Sequence, residues 1–172
     1  MKSAYDAACG KLNYRMRTEK EIRDFLQEAG YGSAEIQETI EEMKSLGYIN
    51  DARYCEEFFR YGKGKARSEG RIIREMVQKG ISPEFARNMI EDMKARDEEE
   101  YEDDRQTAMH TALKMAQARL EEGKPPEEKF YAKVGRRLFQ LGFDSGIIYG
   151  VIADLKKRMK PMYSEEEYDA DK

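Results

Sequence analysis

Apolar positions along the chain repeat one spacing three times, each time around a glycine: Gly30, Gly80 and Gly142. Eight residues before each lies Ile22, Ile72 or Val134, and four before it Leu26, Met76 or Leu138. One residue after comes Tyr31, Ile81 or Phe143; ten after comes Ile40, Ile90 or Ile152; thirteen after comes Met43, Met93 or Leu155. Apolar residues four apart before the glycine and three apart after it predict one helix ending there and a second starting just beyond. The glycine stands where a helix C-terminus needs positive φ. Nothing alternates with period two for long enough to predict a strand. The expected fold is all-α: tandem three-helix units built on helical hairpins, elongated and curved. The named −8, −4 and +10 positions are expected to be buried at equivalent places.

Between these anchors the polar residues punctuate the helices. Tyr5, Cys9, Leu12 and Met16 predict a leading helix over residues 4–16. Thr18-Glu19-Lys20-Glu21 has the form of a capping box, opening a helix that runs to Ala29. The next helix starts near Ser33 and ends around Leu46-Gly47. Asn50 or Asp51 then caps another, which presents Tyr54, Phe58 and the offset Phe59. Tyr61 to Arg67 reads as an exposed basic connector, because Gly62 and Gly64 interrupt the pattern. Ser82-Pro83 starts the second helix of the second hairpin. Met109, Ala112, Leu113, Ala116 and Leu120 share a face over residues 105–121, which Gly123-Lys124-Pro125-Pro126 stops. The expected organisation is a leading helix and first repeat over 1–60; connector, second repeat and acidic link over 61–104; a third repeat over 105–160; and an acidic mobile tail over 161–172. The copies differ at one position, which is Phe25 in the first, Glu75 in the second and Arg137 in the third.

Charge changes this picture. The net charge is −4, but Asp97–Asp104 holds seven acids without a base and Glu165–Asp171 holds five. With those twelve set aside, the rest of the chain sums to +8. Charged residues make up 38% of the chain, hydrophobic ones 40%, and there is no Trp, as in thin-cored helical proteins. No apolar run is long enough for a membrane span, and the first residues lack the apolar stretch of a signal peptide. Cys9 and Cys55, far apart in sequence, read as reduced packing residues of a cytoplasmic protein.

Catalytic chemistry has little to work with. His110 is the only histidine, so neither a Cys/His zinc set nor a nucleophile–His pairing can be assembled beyond it. The acidic run lacks the spacing of a calcium loop and reads as a solvated spacer. Gly62-Lys63-Gly64-Lys65 superficially resembles a phosphate loop but lacks the spacing and the preceding strand. The expectation is a protein that is not an enzyme, with no cofactor, no metal and no catalytic residue. From Arg53 to Lys79, eight bases (Arg53, Arg60, Lys63, Lys65, Arg67, Arg71, Arg74 and Lys79) face four acids. Tyr54, Phe58, Phe59 and Tyr61 interleave with them. Two readings stay open: a solvated linker beside ordinary helix faces, or a patch for phosphates or an acidic protein surface.

Leu46-Gly47-Tyr48-Ile49-Asn50-Asp51-Ala52-Arg53-Tyr54, an aromatic helix, and then Gly70-Arg71-Ile72-Ile73-Arg74-Glu75-Met76-Val77-Gln78-Lys79-Gly80-Ile81-Ser82 together resemble the RecX family. Thr18-Glu19-Lys20-Glu21-Ile22 and Gly30-Tyr31 match that family's opening repeat, and the likeness covers roughly residues 5 to 160. The resemblance implies a cytoplasmic regulator of the RecA recombinase. Such a protein lies in the groove of the RecA–single-stranded-DNA filament and restrains strand exchange, ATP hydrolysis and co-protease activity. A monomer with no membrane partner is expected, and the acidic run 97–104 and acidic tail, which depart from the family's pattern, imply that direct binding to bare DNA is weak. The rival readings are a helix-turn-helix DNA-binding protein and a helical adaptor without nucleic acid. Against the first, the helix after Gly30 carries Glu35, Glu38, Glu41 and Glu42 with Lys44 alone.

Overall fold

The structure, a computed structural model, describes residues 2–97 and 101–164. Among these it contains nine α-helices and no strand: α1 (Ala4–Leu12), α2 (Glu19–Glu28), α3 (Ser33–Ser45), α4 (Asp51–Gly64), α5 (Glu69–Gln78), α6 (Pro83–Arg96), α7 (Asp104–Glu121), α8 (Glu128–Leu141) and α9 (Ser145–Ser164). They form three triplets, each a leading helix followed by a hairpin. Gly30, Gly80 and Gly142 end α2, α5 and α8 with φ of 86°, 91° and 94°. In each case the following amide reaches back to the carbonyl of Leu26, Met76 or Leu138, closing the C-terminal turn as a left-handed cap does. At the other end of α2, Thr18 and Glu21 form the capping box read from the sequence, and Ser82 caps α6 ahead of Pro83.

Contacts divide the chain into two compact units, Met1–Tyr61 with Ile72–Glu98, and Gly62–Arg71 with Glu99–Lys172. In the first, Ala4 and Ala8 of α1 pack with Ile22, Leu26, Ile36, Ile40 and Met43 of α2 and α3. Ile72, Met76, Ile90 and Met93 are buried as their counterparts are, and α4 buries Tyr54, Cys55 and Phe59. Phe58 is half-buried and stacks on Tyr54 at 5.7 Å. In the second compact unit, Ala108, Ala112 and Ala116 of α7 lie fully or almost fully buried beside Val134 and Leu138 of α8 and Val151 and Leu155 of α9. The alanine stripe, four residues apart, lets α7 approach its neighbours closely. Met109, Leu113 and Leu120, expected to share the buried face, pack along its margin.

Three expectations change. Ile152 is only half-buried, unlike Ile40 and Ile90, while its neighbour Val151 is fully buried. Thr39 and Met89 occupy the position of Val151 in the other two triplets, and valine is the apolar β-branched side chain of the three. The basic connector is shorter than the sequence suggests, because α4 continues through Gly62 and Gly64. The leading helix ends at Leu12 rather than Met16. At the far end, α9 runs past Lys160 to Ser164. Of the expected acidic tail over 161–172, residues 165–172 lie outside the described residues, as does the centre of the acidic link, 98–100.

Two junctions between successive triplets are built alike. The Thr18 hydroxyl donates to the Lys79 carbonyl at 2.5 Å, and the Glu19 amide donates to the Asp51 carboxylate at 2.9 Å. Fifty residues on, the Ser68 hydroxyl donates to the Gly142 carbonyl at 2.7 Å, and the Glu69 amide donates to Asp104 at 3.0 Å. In each case the start of one triplet's hairpin is satisfied by the turn and the leading helix of the next. The amides concerned are helix-terminal donors with no partner in their own helix.

Candidate nucleic-acid interface

The eight bases singled out in the sequence fall on α4, α5 and the turn between them, and the structure gives them different roles. Within the first compact unit, Arg53 and Arg74 are exposed, with no ion-pair partner among the described residues. Arg60 is exposed and lies 3.5 Å from Glu57 one turn earlier. Lys79 reaches the Glu21 carboxylate at 3.4 Å.

Within the second compact unit, Lys63 is a structural pin. Its side chain is 9% exposed, and Nζ donates to the Glu102 carbonyl at 2.8 Å with Asp104 at 3.9 Å. Arg71 donates from its guanidinium to the Gln140 carbonyl. Lys65 is exposed and Arg67 half-buried. Gly62 and Gly64 belong to the last turn of α4, where the Lys65 and Arg67 amides both return to the Gly62 carbonyl. The turn then passes through Ala66 at φ 55°. It is a helix terminus, without the loop that cradles a phosphate.

The junction at α2 is electrostatically tuned. A hydrogen bond from Lys44 holds the Glu19 carboxyl below its ordinary range, with Arg23 adding to it against the opposing effect of burial. Burial pushes Glu21 upward, but Arg15, the Thr18 amide and Lys79 outweigh it and leave the group low. Burial raises Asp51 despite the Glu19 amide that it accepts. Burial and then Asp51 push the Cys55 thiol up to about 12. Cys9 is half-buried, and neither cysteine is in a disulfide. His110 is exposed with Nδ1 3.0 Å from Glu102. No group of three or more His, Cys, Asp or Glu among the described residues could hold a metal ion. No helix among them is long and apolar enough to cross a membrane.

A further basic surface was passed over in the sequence. Residues 129–160 carry eight bases against two acids, a larger excess than Arg53–Lys79. Its signal, charge counted along the third hairpin, was available.

Fold and surface together define a protein of tandem three-helix units, joined by a repeated capping contact and carrying cations on exposed helix faces. Residues 4–43 match the family model described as the first three-helix domain of RecX. Along 88% of its length the chain is 28% identical to the regulatory protein RecX of Clostridium botulinum, covering 66% of that protein. It is 29% identical to that of Clostridium perfringens over 83% of its length, covering 62% of the relative. The chain thus spans less than two thirds of the length of these relatives. The crystal structure of RecX from Lactobacillus salivarius superimposes with a TM-score of 0.66 at 24% identity, covering 89% of this chain and 94% of that one, a likeness of fold. In its opening triplet and along most of its length, the chain is similar to RecX proteins.

Proposed function

We propose that this chain is a non-catalytic, cytoplasmic, monomeric regulator of the RecA recombinase. It binds RecA filaments on single-stranded DNA and restrains their strand exchange, ATP hydrolysis and co-protease activity. The observation that carries the reading is the likeness, over most of the chain, to proteins named regulatory protein RecX. A row of helical triplets suits a helical polymer, because each triplet can meet a successive repeat of the groove. Occlusion and altered assembly are binding effects that need no catalytic set. In this reading Arg53, Arg60, Lys65, Arg67 and Arg74 meet phosphate or acidic protein surface, while Lys63, Arg71 and Lys79 hold the helices that present them.

The test is ATP hydrolysis by RecA on single-stranded DNA as this protein is titrated in, alongside binding to bare duplex, bare single strands and RecA-coated strands. A dose-dependent slowing, with tightest binding to coated strands, is expected. Tightest binding to bare duplex without effect on hydrolysis would replace the reading by the helix-turn-helix one. Binding to none of the three would leave the adaptor.

A further inference from the structure

Phe139 and Tyr149, both on the third hairpin, are large aromatic side chains that are each 74% exposed. They flank a hollow of about 670 Å³ between α8 and α9, lined also by Ala132, Gly135, Ile148 and Ile152. Two sequence features create it. Ala132 and Gly135 leave α8 without bulk there; a Cβ on Gly135 would come 3.2 Å from the Ile152 side chain. Ile152, half-buried on α9, forms part of the wall. Arg136 lines the same hollow, and Lys133, Arg136 and Arg137 surround an adjoining one of about 360 Å³.

These three cations have no ion-pair partner among the described residues, as is also true of Arg53 and Arg74. Lys20, Arg23, Lys44, Arg96, Arg105 and Lys156 all have carboxylate partners. The three acids of the hairpin are otherwise engaged: Glu128 pairs with Lys156, Asp144 caps α9 through the Ile147 amide, and Asp154 pairs with Arg105. The surface therefore joins exposed aromatic rings to uncompensated positive charge. An apolar partner would gain from the rings and lose by leaving the cations unpaired. A strand of nucleotides supplies both complements, flat bases for the rings and phosphates for the cations.

We infer that the α8–α9 hollow is a binding site for single-stranded nucleic acid, with bases stacking on Phe139 and Tyr149 and phosphates meeting Lys133, Arg136 and Arg137. The site acts on bare strands and does not depend on the recombinase reading. Its test contains no RecA, so the two can fail separately.

The chain has no Trp, so Phe139→Trp provides a single fluorescent reporter at the hollow. Saturating oligodeoxythymidine is expected to quench it. Phe139→Leu with Tyr149→Leu, which keeps apolar bulk but removes the flat rings, is expected to weaken binding about tenfold or more. An abasic strand of equal length is expected to bind the unaltered protein correspondingly weakly. Replacing Lys133, Arg136 and Arg137 with Gln is expected to reduce the slope of log affinity against log salt by about two. Circular dichroism checks that each variant is folded. Equal binding of the abasic strand, unchanged affinity in the double leucine variant, or an unquenched tryptophan would overturn the site. Quenching by polyglutamate as strong as by the oligonucleotide would overturn it too, and assign the hollow to an acidic peptide.

Discussion

Ser68 donates its hydroxyl hydrogen to the carbonyl of Gly142, 74 residues along the chain, at 2.7 Å. The same oxygen accepts from the Arg71 amide at 3.1 Å, so one side chain caps α5 and fastens it to the turn that follows α8. Thr18 does both for α2, accepting from the Glu21 amide and donating to the Lys79 carbonyl. Both residues are buried. Ser68→Ala and Thr18→Ala are each expected to cost about 1–3 kcal/mol, combining a lost cap with an unsatisfied carbonyl. Urea unfolding measures it; losses of a few tenths would mean that water replaces the bond.

The three hairpin glycines share a conformation but not a neighbourhood. Nothing lies within 4 Å of where a Cβ on Gly30 would stand. On Gly80 it would overlap the Lys20 side chain, and on Gly142 it would come within 2.8 Å of the Ser68 hydroxyl. Gly30→Ala is expected to cost about 1–2 kcal/mol, the left-handed penalty alone. Gly142→Ala should cost more, because Ser68 must yield its bond. Gly80→Ala should also cost more than Gly30→Ala, because the Lys20 Cβ, which the added methyl would overlap, is fixed to its backbone and cannot swing away. Chemical denaturation of the three variants checks the order.

Core truncation separates the third triplet from the others. Ile40→Ala and Ile90→Ala should each destabilise by about 2–5 kcal/mol. Ile152→Ala should cost distinctly less, because that side chain is only half-buried. Equal losses at all three would contradict the lesser burial of Ile152.

The two cysteines should respond differently to a thiol reagent. In native protein at pH 8, Ellman's reagent is expected to titrate Cys9 promptly and Cys55 only on unfolding, since burial raises Cys55 to about 12 and shields it. The sign of the linkage follows. A folded pKa above the unfolded value lets the unfolded thiol ionise first, so this contribution to stability declines as pH rises from about 9 toward about 12. Glu19 and Glu21 act at the other end: with folded pKa values lowered, the stability they contribute above 4.5 is lost as pH falls through those values. Asp51, raised instead, opposes them. Urea midpoints across pH should therefore change less between 3 and 5 in a Glu19→Gln, Glu21→Gln variant than in the native chain.

Among the first group of bases, charge and structure can be separated. Arg53→Glu with Arg74→Glu should weaken binding to RecA-coated single strands and flatten its salt dependence, with stability nearly unchanged. Lys63→Glu should instead lower the unfolding midpoint, because it places a carboxylate against the Glu102 carbonyl and Asp104. Filament pelleting and thermal melts on the same samples distinguish the two.

What could be read from the amino-acid order was whatever depends on local spacing. The glycine-anchored hairpins, the capping box at Thr18 and the Ser82-Pro83 start all follow from neighbours within one or two turns. What could not be read depends on distant partners. Gly62 and Gly64 look like breakers, yet α4 continues through them, and there Lys63 is held by Glu102, 39 residues away. Ile152 occupies the core position of the repeat in sequence, yet in the fold it stays half-buried, lining the hollow beside Gly135. The basic candidates were legible as a composition, but not which of them would be drawn into holding helices together.

The Glu19 and Glu69 amides stand at helix starts, where hydrogen exchange with solvent is ordinarily fastest. Their acceptors, Asp51 and Asp104, belong to the next triplet, so neither amide is released until that neighbour loosens. Fraying is thereby handed from each helix end to the element after it. The weakest-looking hydrogens of α2 and α5 report the opening of structure 32 and 35 residues downstream.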